Sequence, residues 1–159
     1  MNNLSFHITD IMANSIRAKA SEIGLFIEER DLRITIRIAD NGLGMDAGTI
    51  ARVTNPFYTT RTTRKVGLGI PFLIQNAEQT GGAVSITSQP GKGTVVTASF
   101  CSNHIDCPPW GDLPGTVAML ITGNPDINIC FEYQAVKTVF SISTSEIKEI
   151  LASRLVIRK

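Results

Sequence analysis

The sequence predicts an α+β fold, on three observations. Apolar residues at three- and four-residue intervals open the chain, a strict apolar–polar alternation follows, and a second helical segment leads into two strand-like runs around a glycine loop. With 159 residues, 43% hydrophobic and 18% charged, the chain has enough apolar material for one core with a small appendage, which excludes a disordered protein.

Leu4, Ile8, Ile11, Met12, Ser15, Ile16 and Ile23 keep the period of a helix with one buried stripe, so a first helix is expected to end near Gly24. Leu32 to Ile38 alternates over seven positions, as a strand buried on one face does, and delivers Asp40 to the turn Asp40-Asn41-Gly42-Leu43-Gly44-Met45. From Asp46 to Lys65 the periodicity is lost, and Thr59 to Lys65 carries three positive charges and no apolar residue, which excludes a core segment. Ile70 to Gln79 is helical again, with Pro71 in the first turn and Gly81-Gly82 as the stop. Val84–Ser88 and Thr94–Phe100 read as strands of a hairpin joined by Gln89–Gly93.

The first hundred residues therefore read α-β-loop-α-β-β. Residues 101–115 are expected to form a surface connector, and 116–159 a small C-terminal α+β extension. In that extension Val117–Ile121, Ile129–Tyr133 and Thr138–Ile142 are strand-like, and Ser143-Thr144-Ser145-Glu146 is a capping box opening a terminal helix.

Fifteen basic against 14 acidic residues give a net charge of +1, which excludes nucleic acid as a partner bound through bulk charge. No run approaches the roughly 20 apolar residues of a membrane span, and Met1-Asn2-Asn3-Leu4-Ser5 is not the start of a signal peptide, so a cytoplasmic protein with no membrane partner is expected. The spacing of Cys101, His104 and Cys107 would suit metal ligands on a helix, but Cys101 closes a strand-like run and Pro108-Pro109 follows, so these and Cys130 read as scattered reduced thiols.

Three features carry chemistry. Asp10 and Asn14 lie one turn apart on a helix whose neighbours Ile11 and Met12 are core-like. Asp40 closes a strand before two glycines, where a flat ligand can approach the backbone. Gly67-Leu68-Gly69 opens a helix whose free N–H groups and dipole suit a phosphate, with Arg61, Arg64 and Lys65 beside it.

Their order resembles the ATP-binding domain shared by gyrase, the Hsp90 chaperones, histidine kinases and mismatch-repair ATPases of the MutL type. Asp10-Ile11-Met12-Ala13-Asn14-Ser15 is similar to that family's N box, Asp40 to Met45 to its first glycine box, and Gly67-Leu68-Gly69 to its second. Asn55-Pro56-Phe57-Tyr58 resembles the F box of histidine kinases, and Gly91-Lys92-Gly93-Thr94 their closing Gly-x-Gly-Thr. Ser15 to Ala18, Thr59 to Gly69 and His104-Ile105-Asp106 also resemble small stand-alone ATP-binding proteins of anaerobic bacteria, and that likeness runs through the tail.

The resemblance implies a two-layer α/β sandwich, the Bergerat ATP-binding fold, over residues 1–100, with ATP and Mg²⁺ as ligands. It implies that Asp40 accepts a hydrogen bond from the adenine amino group, that Gly44 and Met45 form the wall beside the base, and that Thr94 supports the same edge through a water. Asn14 would bind Mg²⁺ through its amide oxygen, and Ser15, Arg17 and Lys19 would reach toward the phosphates or ribose. Gly67 and Gly69 would receive the triphosphate under a lid of residues 46–65, with Gly42, Phe57, Arg64, Lys65, Val66 and Leu68 in the same binding set. Asp10 stands where hydrolytic relatives carry a Glu that activates water, and its shorter side chain makes hydrolysis less assured than binding.

Three activities follow from the resemblance: phosphate transfer to a partner protein, which leads; an ATPase switch; and a non-catalytic ATP-binding module. His7 lies on the nucleotide-binding helix itself, where a core or cap role fits, and His104 lacks a helical setting, so the phosphoacceptor is expected on another protein. A length of 159 residues leaves no room for an acceptor hairpin or a transducer domain. The family's opening strand is missing ahead of the first helix, and either the C-terminal strands or a second subunit of a homodimer would cover that edge.

Overall fold

The computed structural model describes residues 3–57 and 69–157. Their elements run α1 (Leu4–Arg17), β1 (Glu22–Arg30), β2 (Arg33–Asp40), α2 (Ala47–Thr54), α3 (Gly69–Gln79), β3 (Val84–Gln89), β4 (Gly93–Cys101), α4 (Leu113–Gly123), β5 (Asn128–Ala135), β6 (Thr138–Ser143) and α5 (Thr144–Ile157). The strands form one six-stranded sheet in the order β3-β4-β2-β1-β5-β6. All its pairings are antiparallel except β1 with β5.

The strand register explains where the core sits. Directly paired residues share a face, so Ile86, Val96, Ile38, Leu25 and Phe131 form one rung across five strands. Ile36, Ala98 and Ile27 belong to the next rung, and α1, α3 and α4 close over this face with Ile8, Met12, Leu73, Val117 and Ile121. Each such aliphatic side chain withdrawn from water contributes about 1.5–3 kcal/mol. On the opposite face of the sheet the Arg37 guanidinium lies over the Phe26 ring at 5.3 Å.

The first helix is shorter than its apolar period suggests. It ends at Arg17, where the Lys19 N–H donates to Ile16 O (3.0 Å) and the Ala20 N–H to Ser15 O (3.2 Å), the paired bonds of a Schellman cap. Lys19 holds the left-handed position at φ 61°, usually a glycine's, so the sequence shows no stop signal there. Ile23 then belongs not to the helix but to β1, an unexpected strand whose alternation of Ile23, Leu25 and Ile27 is masked by Phe26 between them. Asp31 and Leu32, both at positive φ, make the two-residue turn into β2, so Leu32 lies in the turn and is exposed. Lys19→Gly is expected to raise stability by about 0.5 kcal/mol, because glycine sheds the left-handed penalty. Urea denaturation checks this, and a loss of stability would contradict it.

Two further segments differ from expectation. Residues 47–54 are helical rather than irregular, because the Asp46 side chain accepts from the Thr49 N–H at 2.7 Å and caps α2. Hydrogen bonding to Thr49 also holds the Asp46 carboxyl below its usual range. Val117–Ile121 lies in a helix rather than a strand: Asp112 caps α4 by accepting from the Gly115 N–H, Pro114 sits in its first turn, and Val117 and Ile121 are buried one turn apart. A continuous apolar run has no period of its own, so the cap upstream decided the conformation.

The connector is not simply a surface loop. Pro108 is buried, and the carbonyls of Pro109 and Trp110 accept from the Leu4 and Ser5 N–H groups, satisfying the start of α1. Glu29 fastens it to the sheet by accepting from Trp110 Nε1 (3.0 Å) and from the Tyr133 hydroxyl, and that bond to Glu29 is the main reason the Tyr133 hydroxyl is pushed up to about 12. The edge of β1 is taken by β5, so the C-terminal strands cover it within the same chain. Ser143 accepts from the Glu146 N–H at the start of α5. Cys101, Cys107 and Cys130 are free thiols. No helix among the described residues is long and apolar enough to cross a membrane.

Candidate functional site

Ile34, Ile36, Ile38 and Asp40 occupy alternate positions of β2, so the alternation that buries three isoleucines also turns a carboxylate toward the helix layer at the strand's end. Asp40 pairs in register with Thr94, and Thr94 with Ser88, which makes the rung polar across β2, β4 and β3 where the neighbouring rung Ile38–Val96–Ile86 is apolar. The helix above supplies two adjacent rows, Asp10–Asn14–Arg17 and Ile11–Ser15–Ala18. Together with Gly44, Met45, Val53, Gly69, Ile70 and Val96 they line a cavity of about 260 Å³.

Asp40 is fixed on both oxygens. The buried Ser15 hydroxyl donates to Oδ2 at 2.6 Å, and the Gly42 N–H donates to Oδ1 at 2.9 Å. Ser88 organises the neighbouring acceptor. Its single hydroxyl proton goes to Gly93 O (2.9 Å), and it accepts from the Met45 N–H (2.8 Å), so the Thr94 hydroxyl 2.8 Å away is the donor in that pair. Thr94 thereby presents lone pairs to the cavity beside the Asp40 carboxylate. Two acceptors side by side, flanked by Ile11, Met45, Val53, Ile70 and Val96, suit a flat, largely apolar ligand with a donor on its edge.

The loop that follows Asp40 is held at three places. Asn41 accepts from the Ser21 and Glu22 N–H groups (2.9 and 3.0 Å) and donates to the Ser21 hydroxyl (2.9 Å). The Leu43 N–H donates to Ala18 O (2.9 Å), a carbonyl left free by the end of α1, while Leu43 O accepts from the Gly91 N–H (2.6 Å). Gly44, at φ 70°, passes so close to the Gln89 carbonyl that a Cβ would stand 1.9 Å from its oxygen.

At the other end of the cavity, Asp10 is half-buried beside Gly69, whose Cβ position lies 3.2 Å from Asp10 Oδ2. Burial pushes the Asp10 carboxyl up from its ordinary value, and the Arg17 guanidinium offsets part of that. Arg17 donates to Asn14 Oδ1. The oxygens of Asp10 and Asn14 are hard donors of the kind a magnesium ion takes alongside phosphate and water. Among the described residues no cluster of three or more His, Cys, Asp or Glu side chains could hold a metal on its own.

The structure thus brings together Asp10, Asn14, Ser15, Arg17, Asp40, Gly44, Met45, Gly69 and Thr94 around one cavity, with Gly42 bonded to Asp40 at its rim. Lys19 does not line the cavity, and Phe57 is 82% exposed and stands outside it. Arg64, Lys65, Val66, Gly67 and Leu68, and the basic cluster that includes Arg61, lie outside the described residues. Sequence reasoning missed Ser88, although the hairpin it inferred already sets Ser88 opposite Thr94. It also missed Val53 and Ala18, for which no motif speaks.

The described chain resembles a solved structure titled as the N-terminal domain of a DNA repair protein, with a TM-score of 0.55 and 17% identity over 89% of this chain and 51% of that one, a likeness of fold. In sequence it is 35% identical over 93 residues to the sensor protein kinase FleS of Pseudomonas aeruginosa, covering 57% of this chain and 23% of the relative. It is 31% identical over 97 residues to sporulation kinase E of Bacillus subtilis (59% and 13%), and 29% identical over 106 residues to the sensor histidine kinase YxdK of the same organism (61% and 32%). The chain therefore spans less than a third of the length of these relatives, from 13% to 32%. Residues 3–103 match the model of the histidine kinase-, DNA gyrase B- and HSP90-like ATPases, and the chain belongs to that family of ATP-binding domains.

Proposed function

We propose that this chain binds ATP with Mg²⁺ in the cavity between α1 and the end of the sheet, and that it passes the γ-phosphoryl group to a partner protein in a signalling pathway. The observation that carries the nucleotide assignment is the fixed pair of acceptors, Asp40 and Thr94. Adenine offers an amino group at the edge where guanine offers a carbonyl, so a carboxylate held by Ser15 and Gly42 accepts from the first and repels the second.

In this reading Ile11, Met45, Val53, Ile70 and Val96 sandwich the base and exclude water from it. Asn14 and Asp10 face the phosphates with oxygen donors, and Mg²⁺, when bound, supplies charge neutralisation for phosphoryl transfer. Asp10 orients the attacking group. His7 does not fit the role of acceptor, since it is 1% exposed, packed against Phe72 and hydrogen-bonded to Asn76, where no phosphoryl group can reach it. His104 sits in a turn, its Nδ1 accepting from the Asp106 N–H at 3.0 Å. The relatives named above as sensor and sporulation kinases support the signalling class.

Asp40→Asn is expected to weaken ATP binding about 10- to 100-fold, the worth of a hydrogen bond to a charged group, while narrowing the preference for ATP over GTP. Calorimetry of both nucleotides with both proteins checks this, and an unchanged ATP to GTP ratio would overturn the adenine assignment. Incubation with γ-labelled ATP and a cell extract then separates the activities. Label on a second protein is the expected result, whereas label released as free phosphate by the purified chain would replace phosphotransfer with hydrolysis.

A further inference from the structure

Asn14 is the residue whose carboxamide oxygen suits a divalent cation, yet in this structure that oxygen is already engaged by a cation of the chain itself. Arg17 lies three residues further along α1 and donates its Nη2–H to Asn14 Oδ1. Arg17 lines the same cavity as Asn14 and Asp10, and its charge acts on Asp10 as well. The row Asp10–Asn14–Arg17 therefore contains a positive group resting on the amide oxygen beside a half-buried carboxylate.

One amide oxygen has two lone pairs, so it could in principle accept a second partner. A divalent cation there would stand immediately beside the exposed guanidinium, and at such a separation the two like charges repel by about 2 kcal/mol even in water. The two arrangements are therefore alternatives. Arginine also differs from the metal in what it offers a phosphate, namely a planar fork of N–H donors that matches two phosphate oxygens at once and never loses its charge.

We propose that Arg17 is a resident counter-ion that competes with divalent metal for Asn14, so that this chain retains nucleotide without metal and must release Arg17 from Asn14 when the metal–nucleotide complex binds. The inference rests on the ATP·Mg²⁺ reading above and adds to it the identity of the group that tunes metal dependence.

The test is calorimetric titration of the wild type, Arg17→Gln and Arg17→Lys with ATP, once in excess EDTA and once in excess MgCl₂. Wild type is expected to bind in both conditions with affinities within about tenfold of each other. Arg17→Gln is expected to lose about tenfold or more in EDTA and much less in MgCl₂, so its metal dependence rises, and Arg17→Lys to fall between them. Because Arg17 is exposed, these substitutions are tolerated by the fold, and matching thermal melts without nucleotide verify that. An equal loss for Arg17→Gln in both conditions, or no loss in either, overturns the competition while leaving ATP binding in place. Failure of wild type to bind ATP in either condition overturns the nucleotide reading together with it.

Discussion

Gly44→Ala is expected to destabilise the protein by about 3 kcal/mol, whereas Gly91→Ala, at a similar backbone angle, costs only about 1 kcal/mol. Both glycines have left-handed φ, 70° and 79°, and both lie in the pair of loops joined by the Gly91–Leu43 hydrogen bond. Their surroundings differ. A Cβ on Gly44 would fall 1.9 Å from Gln89 O and 3.2 Å from Gly93 O, two backbone atoms that cannot rotate away, while a Cβ on Gly91 meets nothing within 4 Å. The first substitution must therefore push the loops apart, and with them the Met45–Ser88 bond that sets the Thr94 hydroxyl. Urea unfolding of the two variants measures the difference directly. Equal losses would show that backbone angle alone, and not the close approach, makes glycine necessary at position 44. Nucleotide binding is expected to fall with Gly44→Ala and to survive Gly91→Ala.

The second large effect is acid sensitivity from His7. Its ring is buried, Nε2 lies 2.7 Å from Asn76 Nδ2, and Nδ1 has no partner. With the amide donating to Nε2, protonation would turn that nitrogen into a second donor facing the first, and burial accordingly pushes the His7 value down from 6.5 to about 4. The folded state thus resists a proton that the unfolded chain takes up below pH 6.5. Stability from this group is intact above 6.5, falls by about 2 kcal/mol at pH 5 and by about 3 kcal/mol near pH 4. The window from pH 6.5 to 5 separates histidine from most carboxylates. Denaturation across it should show a steep loss in the wild type and a flatter line in His7→Leu, even though the variant starts lower because Asn76 loses its partner. Parallel lines would remove His7 as the cause.

Much of this molecule was legible from residues alone, and the reason is local. β2 could be read because alternate isoleucines face one core, and that same alternation carries Asp40 inward without any further information. The β3–β4 hairpin, α3, β5, β6 and the start of α5 were legible through turn residues, caps and periods that act within a few positions. Asp10 and Asn14 were paired from the residues because helical spacing sets them one turn apart whatever else the chain does, whereas Ser15 and Arg17 entered only through the family resemblance; all four line the cavity.

The features that were not legible depend on partners distant in sequence. The end of α1 at Arg17 rests on Lys19 in a conformation costly for a side chain, and it is sustained where Ala18 O accepts from Leu43 and the chain turns into β1. A propensity argument cannot see that exchange, so it carried the helix onward into a strand. α4 likewise was decided by its Asp112 cap and by Val117 and Ile121 entering the core, which an unbroken apolar run leaves open.

The sequence by itself determined the chemical inventory: an Asp at the end of a half-buried strand, oxygen donors one helical turn apart, glycines where backbones must meet. Tertiary structure alone decided what those groups face. Ser15 and Asp40 lie 25 residues apart and meet at 2.6 Å, Ser88 orients Thr94 across a hairpin, and Arg17 rests on Asn14. It also placed β5 along β1, pairing Glu22 with Asn128 and Glu29 with Ala135 across the whole middle of the chain. A hydrogen bond or a sheet edge is satisfied by whichever group arrives in space, and only the folded chain fixes which group that is.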